Sequence, residues 1–224
     1  MRDTKRARHK QTLKEITGRT DRLGMPIDKN IKSLVVALIL NGFITYQSCE
    51  GHTDHSMGAP WVDIAAPNRP DEKFVKQNYI INQTARKLGI KQEIEDVRKT
   101  NIDLFCTVID IAQEKYSINP ETKKHKKWRA ETKLLEIKLN RLLEEFYKNK
   151  SHIAKIVRLK ILTFSDADFR LFNGGMGWMQ DDFKLTSMFT LEEKIGHDSR
   201  LKIYQHEMSG FAKFLMFKYY HSTT

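Results

Sequence analysis

The chain has 224 residues, of which 40% are hydrophobic and 10% aromatic, and it carries a formal net charge of +11. This apolar content is enough for a hydrophobic core, so disorder over most of the length is excluded. No run of about 18 apolar residues exists, and the basic N-terminus lacks the apolar segment of a secretory signal, so we expect neither a membrane partner nor secretion. The only cysteines, Cys49 and Cys106, cannot build a disulfide framework, which favours a cytoplasmic protein.

The positive charge is concentrated in two segments. Residues 1–24 hold eight Lys or Arg against three acidic residues, and residues 121–160 hold thirteen against five. Basic segments on a nearly neutral remainder indicate a polyanionic partner, and we expect nucleic acid, with RNA favoured over DNA. The alternative is that both segments are only the solvated faces of helices.

The N-terminal part of the chain is predicted to contain a basic arm and a small module. Residues 1–24 form the arm, with a short helix near residues 4–16, and residues 25–69 form a helix-strand-loop-strand module. Asp28 is a good helix cap, and Gly42 ends the helix. A strand at 43–47 leads into the loop 48–55, and a second strand covers 61–65.

Residues 70–150 are predicted to be a long helical insertion, either a hairpin or a small bundle. One helix follows Phe74, and a second carries an apolar face from Ile94 to Ala112. A third runs from about 120 to 149 with a seam of heptad-like spacing, formed by Trp128, Leu135, Leu139, Leu142 and Phe146. This seam fits an antiparallel neighbour within the chain or self-association through the 120–150 helix.

Residues 151–224 are predicted to complete the sheet and to end in a helix. Val157, Leu159 and Ile161 alternate with Arg158 and Lys160, so one strand face is apolar and the other basic. A turn near 165–168 leads to the next strand, Thr190 with Glu193 forms a capping box, and the last helix starts near residue 198. The predicted fold class is therefore α+β, with a small mixed or antiparallel sheet, a long helical insertion and a C-terminal helix.

The loop after the first strand gathers reactive side chains, namely Cys49, Glu50, His52 and His55. Cys49, His52 and His55 are spaced as candidate zinc ligands, with water or another side chain (Asp54, Asp63 or His125) as the fourth. In a second interpretation, Cys49 is a catalytic nucleophile activated by His52 and oriented by Glu50 or Asp63. A third has the loop bind an anion through its backbone N–H groups, and a fourth has it serve only as a tight turn.

The stretch between Met25 and Ile64 contains two short motifs. Ser48-Cys49-Glu50-Gly51-His52 follows the first predicted strand, and Pro60-Trp61-Val62-Asp63 begins the second predicted strand. This stretch resembles a module of uncharacterised small bacterial and phage proteins, in which a late Phe-Arg-Leu strand, similar to 169–171, closes the sheet. The Ser-Cys-x-Gly element is also remotely similar to one in the wybutosine-synthesis methyltransferases that modify tRNA, from which Glu50 and His52 depart. The resemblance implies that the loop is a site and does not name its chemistry.

The densest basic segment lies at the start of the third insertion helix, where Trp128 is predicted to be a core residue rather than a base-stacking one. Another pair of basic residues lies on the polar face of the late strand. The candidate nucleic-acid-binding residues are Lys123, Lys124, Lys126, Lys127, Arg129, Arg158 and Lys160.

Three functions therefore follow from the sequence. The leading hypothesis is a nucleic-acid-associated protein that also carries a ligand or reaction site at Cys49, Glu50 and His52. The alternative is a metal- or Cys-dependent enzyme that acts on a nucleotide or small molecule. The third is a coiled-coil interaction module built on the 120–150 helix.

Overall fold

The computed structural model describes residues 2–20, 24–148, 157–165, 167–175, 182 and 184–222. These ranges hold eight α-helices and a four-stranded sheet, which confirms the predicted α+β class with a C-terminal helix. In chain order the elements are α1 (Arg2–Thr17), α2 (Lys29–Leu40), β1 (Ile44–Cys49), β2 (Trp61–Ala65), α3 (Gln77–Lys87), α4 (Ile94–Thr100), α5 (Ile102–Tyr116), α6 (Lys123–Lys148), β3 (Val157–Thr163), β4 (Phe169–Gly175), α7 (Leu191–Lys194) and α8 (His197–His221). Within these ranges, no helix combines the length and apolar character needed to cross a membrane.

The chain divides into two compact units. Unit 1 consists of Met1–Ala66 and Thr132–Thr224, and unit 2 is Pro67–Glu131. The division falls inside α6, so the apolar residues in the second half of that helix belong to unit 1. All four strands also belong to unit 1.

Helix α2 ends as its sequence predicts. Gly42 has a left-handed φ of 82°, its N–H lies 3.0 Å from the Ile39 carbonyl oxygen, and the Phe43 N–H lies 3.0 Å from the Leu38 oxygen. These two bonds form a Schellman motif, in which glycine at this position avoids the strain of a left-handed conformation. The motif reverses the chain so that β1 starts directly beside α2.

The sheet is antiparallel throughout, in the order β1-β2-β4-β3. Strand β1 is longer than the sequence predicted and includes Cys49, which pairs with Trp61 of β2. In β3, Val157 and Leu159 are buried while Arg158 and Lys160 are exposed, which confirms the predicted alternation. Cys49 is therefore fixed by the sheet rather than carried on a free loop.

The core of unit 1 lies between one face of the sheet and its helices. It combines Val62 and Leu171 of the sheet with Phe211 of α8, together with Leu139 and Phe146 of α6. These last two residues belong to the apolar seam identified in the sequence. The seam of α6 is therefore used for packing within the chain.

Unit 2 contains one more helix than the sequence predicted. The apolar pattern between Ile94 and Ala112 indicated a single helix, but α4 ends at Thr100 and α5 begins at Ile102. Asn101 separates them because its side-chain oxygen accepts the Leu104 N–H at 3.0 Å and so caps α5. The apolar faces of α3 and α5 then form a separate small core, made of Ile81, Ala85, Val108, Ala112 and Tyr116.

Candidate metal centre

The loop after β1 turns sharply at Gly51. This residue has a φ of 78°, and a Cβ placed there would lie 3.0 Å from the Pro60 nitrogen and 2.7 Å from Leu201 Cδ1. Glycine satisfies both constraints because it has no Cβ and adopts positive φ readily. The turn brings His52 back toward the end of β1.

Backbone hydrogen bonds hold the rest of the loop in place. The His52 N–H donates to the Met57 oxygen at 2.9 Å, which closes the loop on itself. The Gly58 N–H donates to the Lys184 oxygen at 3.0 Å, and the Thr186 N–H donates to the Ser56 oxygen at 2.9 Å. The segment around Lys184 and Thr186 therefore holds the loop by backbone hydrogen bonds, as a neighbouring strand would.

The start of α2 and the loop are joined by two reciprocal hydrogen bonds, in which a carboxylate of each segment accepts a backbone N–H of the other. Asp28 stands at the N-cap position, but its side chain does not cap the helix; Oδ2 instead accepts the Glu50 N–H at 3.1 Å. In return, Glu50 Oε2 accepts the N–H of Asn30, in the first turn of α2, at 2.7 Å. Glu50, predicted as a catalytic residue, thus contributes its carboxylate to the free N–H groups of a helix N-terminus.

These two hydrogen bonds hold three side chains with metal-ligand chemistry close together. One ligand atom each of Asp28, Cys49 and His52 lies within 4.8 Å of the other two, and His52 Nε2 is 3.7 Å from Asp28 Oδ2. Tetrahedral zinc with its usual bond lengths places such atoms roughly 3.3–3.6 Å apart. A contraction of at most about 1.5 Å would therefore bring all three atoms to ligand positions.

The thiol of Cys49 is enclosed and receives weak polar contacts. Its side chain is buried, the Gly51 N–H points at Sγ from 3.4 Å, and Ser56 Oγ lies 3.8 Å away. Burial raises the pKa of the Cys49 thiol above its usual value and outweighs these two contacts, which act in the opposite direction. Such a thiol is a poor nucleophile unless a cation stabilises its thiolate.

The three ligands border a cleft of about 570 Å³. The side chains of Asp28 and His52 are 32% and 18% exposed, while Cys49 lies deeper. The cleft is also lined by residues from α1, the turn after it and the first two strands, among them Ile16, Arg19, Thr20, Tyr46 and Trp61. The group is therefore closed on the side of Cys49 and open on the side of Asp28 and His52.

His55, predicted as a third ligand, stacks on His52 with the ring centroids 3.9 Å apart. Its Nδ1 lies 2.6 Å from Asp54 Oδ1, and this hydrogen bond lowers the pKa of the Asp54 carboxyl. Asp28 stands in the group of three where the sequence suggested His55. His55 lines the same cleft from its open side.

The other side chains suggested as partners of the loop have separate contacts. Asp63 accepts two hydrogen bonds from Arg170, from Nε at 2.6 Å and from Nη2 at 2.9 Å. His125 lies in unit 2, where its Nδ1 is 2.5 Å from Glu121 Oε1. Within the described contacts, the carboxylates of Asp63 and Glu50 therefore bind other partners, whereas the nucleophile interpretation used one of them to orient the Cys49–His52 pair.

The predicted nucleic-acid-binding residues occur in both units. In unit 2, Lys123, Lys124 and Lys126 are exposed, Lys127 lies 3.9 Å from Glu131, and Arg129 donates to Glu121 at 2.8 Å. In the same unit Trp128 is buried, as expected of a core residue.

On β3 of unit 1, Arg158 packs over the Tyr147 ring at 4.7 Å, and Lys160 is exposed. The predicted basic residues are therefore divided between the two units.

Sequence reasoning missed the role of Asp28, which it assigned only to capping. The carboxylate of Asp28 is visible in the sequence at the start of a predicted helix. It lies too far along the chain from Cys49 for a ligand spacing to connect the two residues. Comparison with known proteins finds no matching family model, no similar curated protein and no similar solved structure. The chemistry of the site therefore follows from its own residues.

Proposed function

We propose that the protein is a zinc-dependent hydrolytic enzyme whose metal ligands are Asp28, Cys49 and His52. The observation that supports this most strongly is the meeting of a thiol, an imidazole and a carboxylate within 4.8 Å at the edge of a cleft. Thiol and imidazole ligands together favour zinc over magnesium or calcium, which prefer oxygen ligands.

Three candidate ligands within the described residues favour a catalytic rather than a structural zinc site. Structural zinc usually has four protein ligands, whereas catalytic zinc has three and leaves one position for water or substrate. Zinc would supply a bound water with a pKa lowered to about 7. The cleft volume of about 570 Å³ lies within the range of small-molecule and nucleotide sites.

Two of the three ligands, Cys49 and Asp28, have a support that fits this role. The Gly51 N–H and Ser56 hydroxyl contact Cys49 Sγ, and the Glu50 N–H fixes Asp28. Second contacts of this kind orient metal ligands in known zinc proteins. A thiol ligand must stay reduced, so a cytoplasmic location is part of the proposal.

The test is elemental analysis and zinc titration of protein purified without chelator. We expect about one zinc per chain in the wild type and a loss of affinity of roughly 100-fold or more in Cys49→Ser and His52→Ala. Cys106→Ser is the matched control, because Cys106 is a free and exposed cysteine in unit 2. Equal zinc binding by wild type and the Cys49→Ser/His52→Ala double variant would refute the proposal.

A second candidate function is nucleic-acid association through the start of α6, with RNA favoured. Its support is that Lys123, Lys124 and Lys126 are exposed and form no ion pair within the described part of the chain. Lysines without a carboxylate partner can neutralise phosphates, and the release of counterions then favours binding. Loss of salt-dependent RNA binding on changing all three to Gln would support this function, and unchanged binding would refute it.

The coiled-coil interaction module is not proposed. Its seam would have to be free for a partner, but Leu139 is fully buried and Phe146 is 8% exposed in the core of unit 1. Exposed apolar residues on α6, Leu134 and Ile137, do not continue that seam.

A further inference from the structure

Helix α1 carries a row of basic residues on its outer face. Arg6, Lys10 and Lys14 recur every four residues, so they lie on one side of the helix, with about 6 Å along the axis between neighbours. All three are exposed, whereas Thr12 and Ile16, on the opposite side, are buried. We call these three residues the α1 row.

The basic residues on the inner side of α1 have structural partners, and those of the α1 row do not. Lys5 Nζ donates to the carbonyl oxygens of Tyr219 and Ser222 at the end of α8, and His9 Nδ1 lies 2.7 Å from the Tyr220 hydroxyl. Within the described residues, no carboxylate pairs with the α1 row. Like charges four apart on a helix destabilise it, so the row does not contribute to folding.

The α1 row leads toward the candidate metal centre. The last turn of α1 and the residues after it, represented by Ile16, Arg19 and Thr20, line the same cleft as Cys49 and His52. A molecule that follows the row toward the C-terminal end of α1 therefore approaches the cleft that the metal ligands border. Tyr46, which is 45% exposed, also lines this cleft.

We propose that the substrate of this site is single-stranded nucleic acid, with its phosphates on the α1 row and one nucleotide in the cleft. The inference rests on the zinc-dependent function proposed above. Regularly spaced cations fit a phosphodiester chain, and the exposed Tyr46 ring in the cleft offers a stacking surface for a base. An anionic membrane fits less well, because the apolar side of α1 is buried against the rest of unit 1 rather than available for insertion.

The test measures binding of labelled single-stranded RNA and DNA of about 12 nucleotides as a function of salt, by fluorescence anisotropy. The variant is Arg6→Gln/Lys10→Gln/Lys14→Gln, which keeps good helix formers on an exposed face. The control is Arg141→Gln/Lys194→Gln/Lys213→Gln, which removes the same charge from exposed positions of unit 1 on α6, α7 and α8. Circular dichroism confirms that both fold, and zinc content is measured for each.

We expect the α1 variant to bind at least tenfold more weakly and its salt slope to fall by about 2, because three phosphate contacts are lost. The control should bind as the wild type does, apart from a small effect of net charge. Cleft occupancy is tested with Tyr46→Ala, which should weaken binding by roughly the loss of one stacked base. Binding to RNA alone or to both RNA and DNA would support the proposal.

Three outcomes would overturn it. The control could lose as much affinity as the α1 variant, or vesicles rich in anionic lipid could bind through the row while oligonucleotides do not. A wild type that binds zinc but neither oligonucleotide would overturn this inference and leave the zinc proposal intact. Row-dependent nucleic-acid binding by a protein that takes up no zinc would overturn the assignment of a substrate together with the zinc proposal.

Discussion

Two carboxylates of unit 1, Asp182 and Asp28, have opposite surroundings. Asp182 is 1% exposed and accepts hydrogen bonds from Arg200 Nε at 2.6 Å, from Arg200 Nη2 at 2.8 Å and from the Tyr204 hydroxyl at 2.6 Å. Asp28 is partly exposed and faces a thiol and an imidazole, and within the described residues its carboxylate accepts one hydrogen bond, from a backbone N–H. The first carboxylate is already neutralised by a cation, whereas the second lies among groups that a metal ion would bring together.

The pKa values of the Asp182 cluster support this difference. Burial, assisted by the Asp182 carboxylate, raises the pKa of the Tyr204 hydroxyl far above its usual value. The hydrogen bond to Asp182 raises the pKa of Arg200. Arg200 and Tyr204 therefore each keep one charge state across the ordinary pH range, which suits a structural cluster and not a reaction site.

The largest expected effect is the loss of the Asp182 carboxylate. Asp182→Ala removes the carboxylate that pairs with the Arg200 guanidinium and accepts from the Tyr204 hydroxyl, which should lower the free energy of unfolding by about 3–5 kcal/mol. Asp28→Ala in metal-free protein should cost only about 1 kcal/mol, the value of a single hydrogen bond. Urea denaturation of both variants measures this contrast, and equal losses would mean that Asp28 is also a structural carboxylate.

Zinc should increase the stability that is lost when Asp28 is replaced. A metal that binds only the folded chain stabilises the wild type by about 2.7 kcal/mol when its concentration is 100 times the dissociation constant. The Asp28→Ala protein should gain much less at the same zinc concentration, while Asp182→Ala, if folded, should gain as much as the wild type. Thermal unfolding with and without zinc tests this, and an equal gain for Asp28→Ala would remove that residue from the ligand set.

A smaller effect is expected at the turn that positions His52. Gly51→Ala introduces a Cβ with the Pro60 nitrogen at 3.0 Å and keeps a left-handed φ, so we expect a loss of about 2 kcal/mol. Gly89→Ala is the matched control, since its φ of 76° is similar but no atom lies within 4 Å of the added Cβ. Similar losses in both variants would attribute the cost to the backbone conformation alone.

The smallest effect is expected beside the Asp182 cluster, at the capping box of α7. Thr190 Oγ1 accepts the Glu193 N–H and Glu193 Oε2 accepts the Thr190 N–H, so Thr190→Ala should cost about 1 kcal/mol. Zinc affinity should not change, because Thr190 is not among the residues that line the cleft. A matching titration of the variant checks this, and a weaker affinity would mean that α7 supports the metal ligands.

Local signals in the sequence predicted the parts of the fold that depend on neighbouring residues. The capping box of Thr190 and Glu193, the glycine end of α2 at Gly42 and the alternation in β3 are confirmed, because each is set by contacts within a few positions. The break between α4 and α5 was missed, since the apolar pattern continues through Asn101. Capping by Asn101 outweighed the periodicity there.

The candidate site was only partly predictable for the same reason. Cys49 and His52 are close in sequence, so their meeting is a local property of the turn at Gly51. Asp28 reaches them through the packing of α2 against the sheet, and its position as a helix cap indicated a different use of its carboxylate. Spacing along the chain carries no information about such a contact.

The reciprocal hydrogen bonds of the Asp28 and Glu50 carboxylates also have a consequence for amide hydrogen exchange. The amide protons of Asn30 and Glu50 are each held by a side chain of the other segment, so both should exchange with deuterium only when α2 and the loop separate. Their exchange rates should therefore fall together when the ligands close around an ion. The exchange rates of these two amides would therefore measure how often the site opens, without any probe attached to the protein.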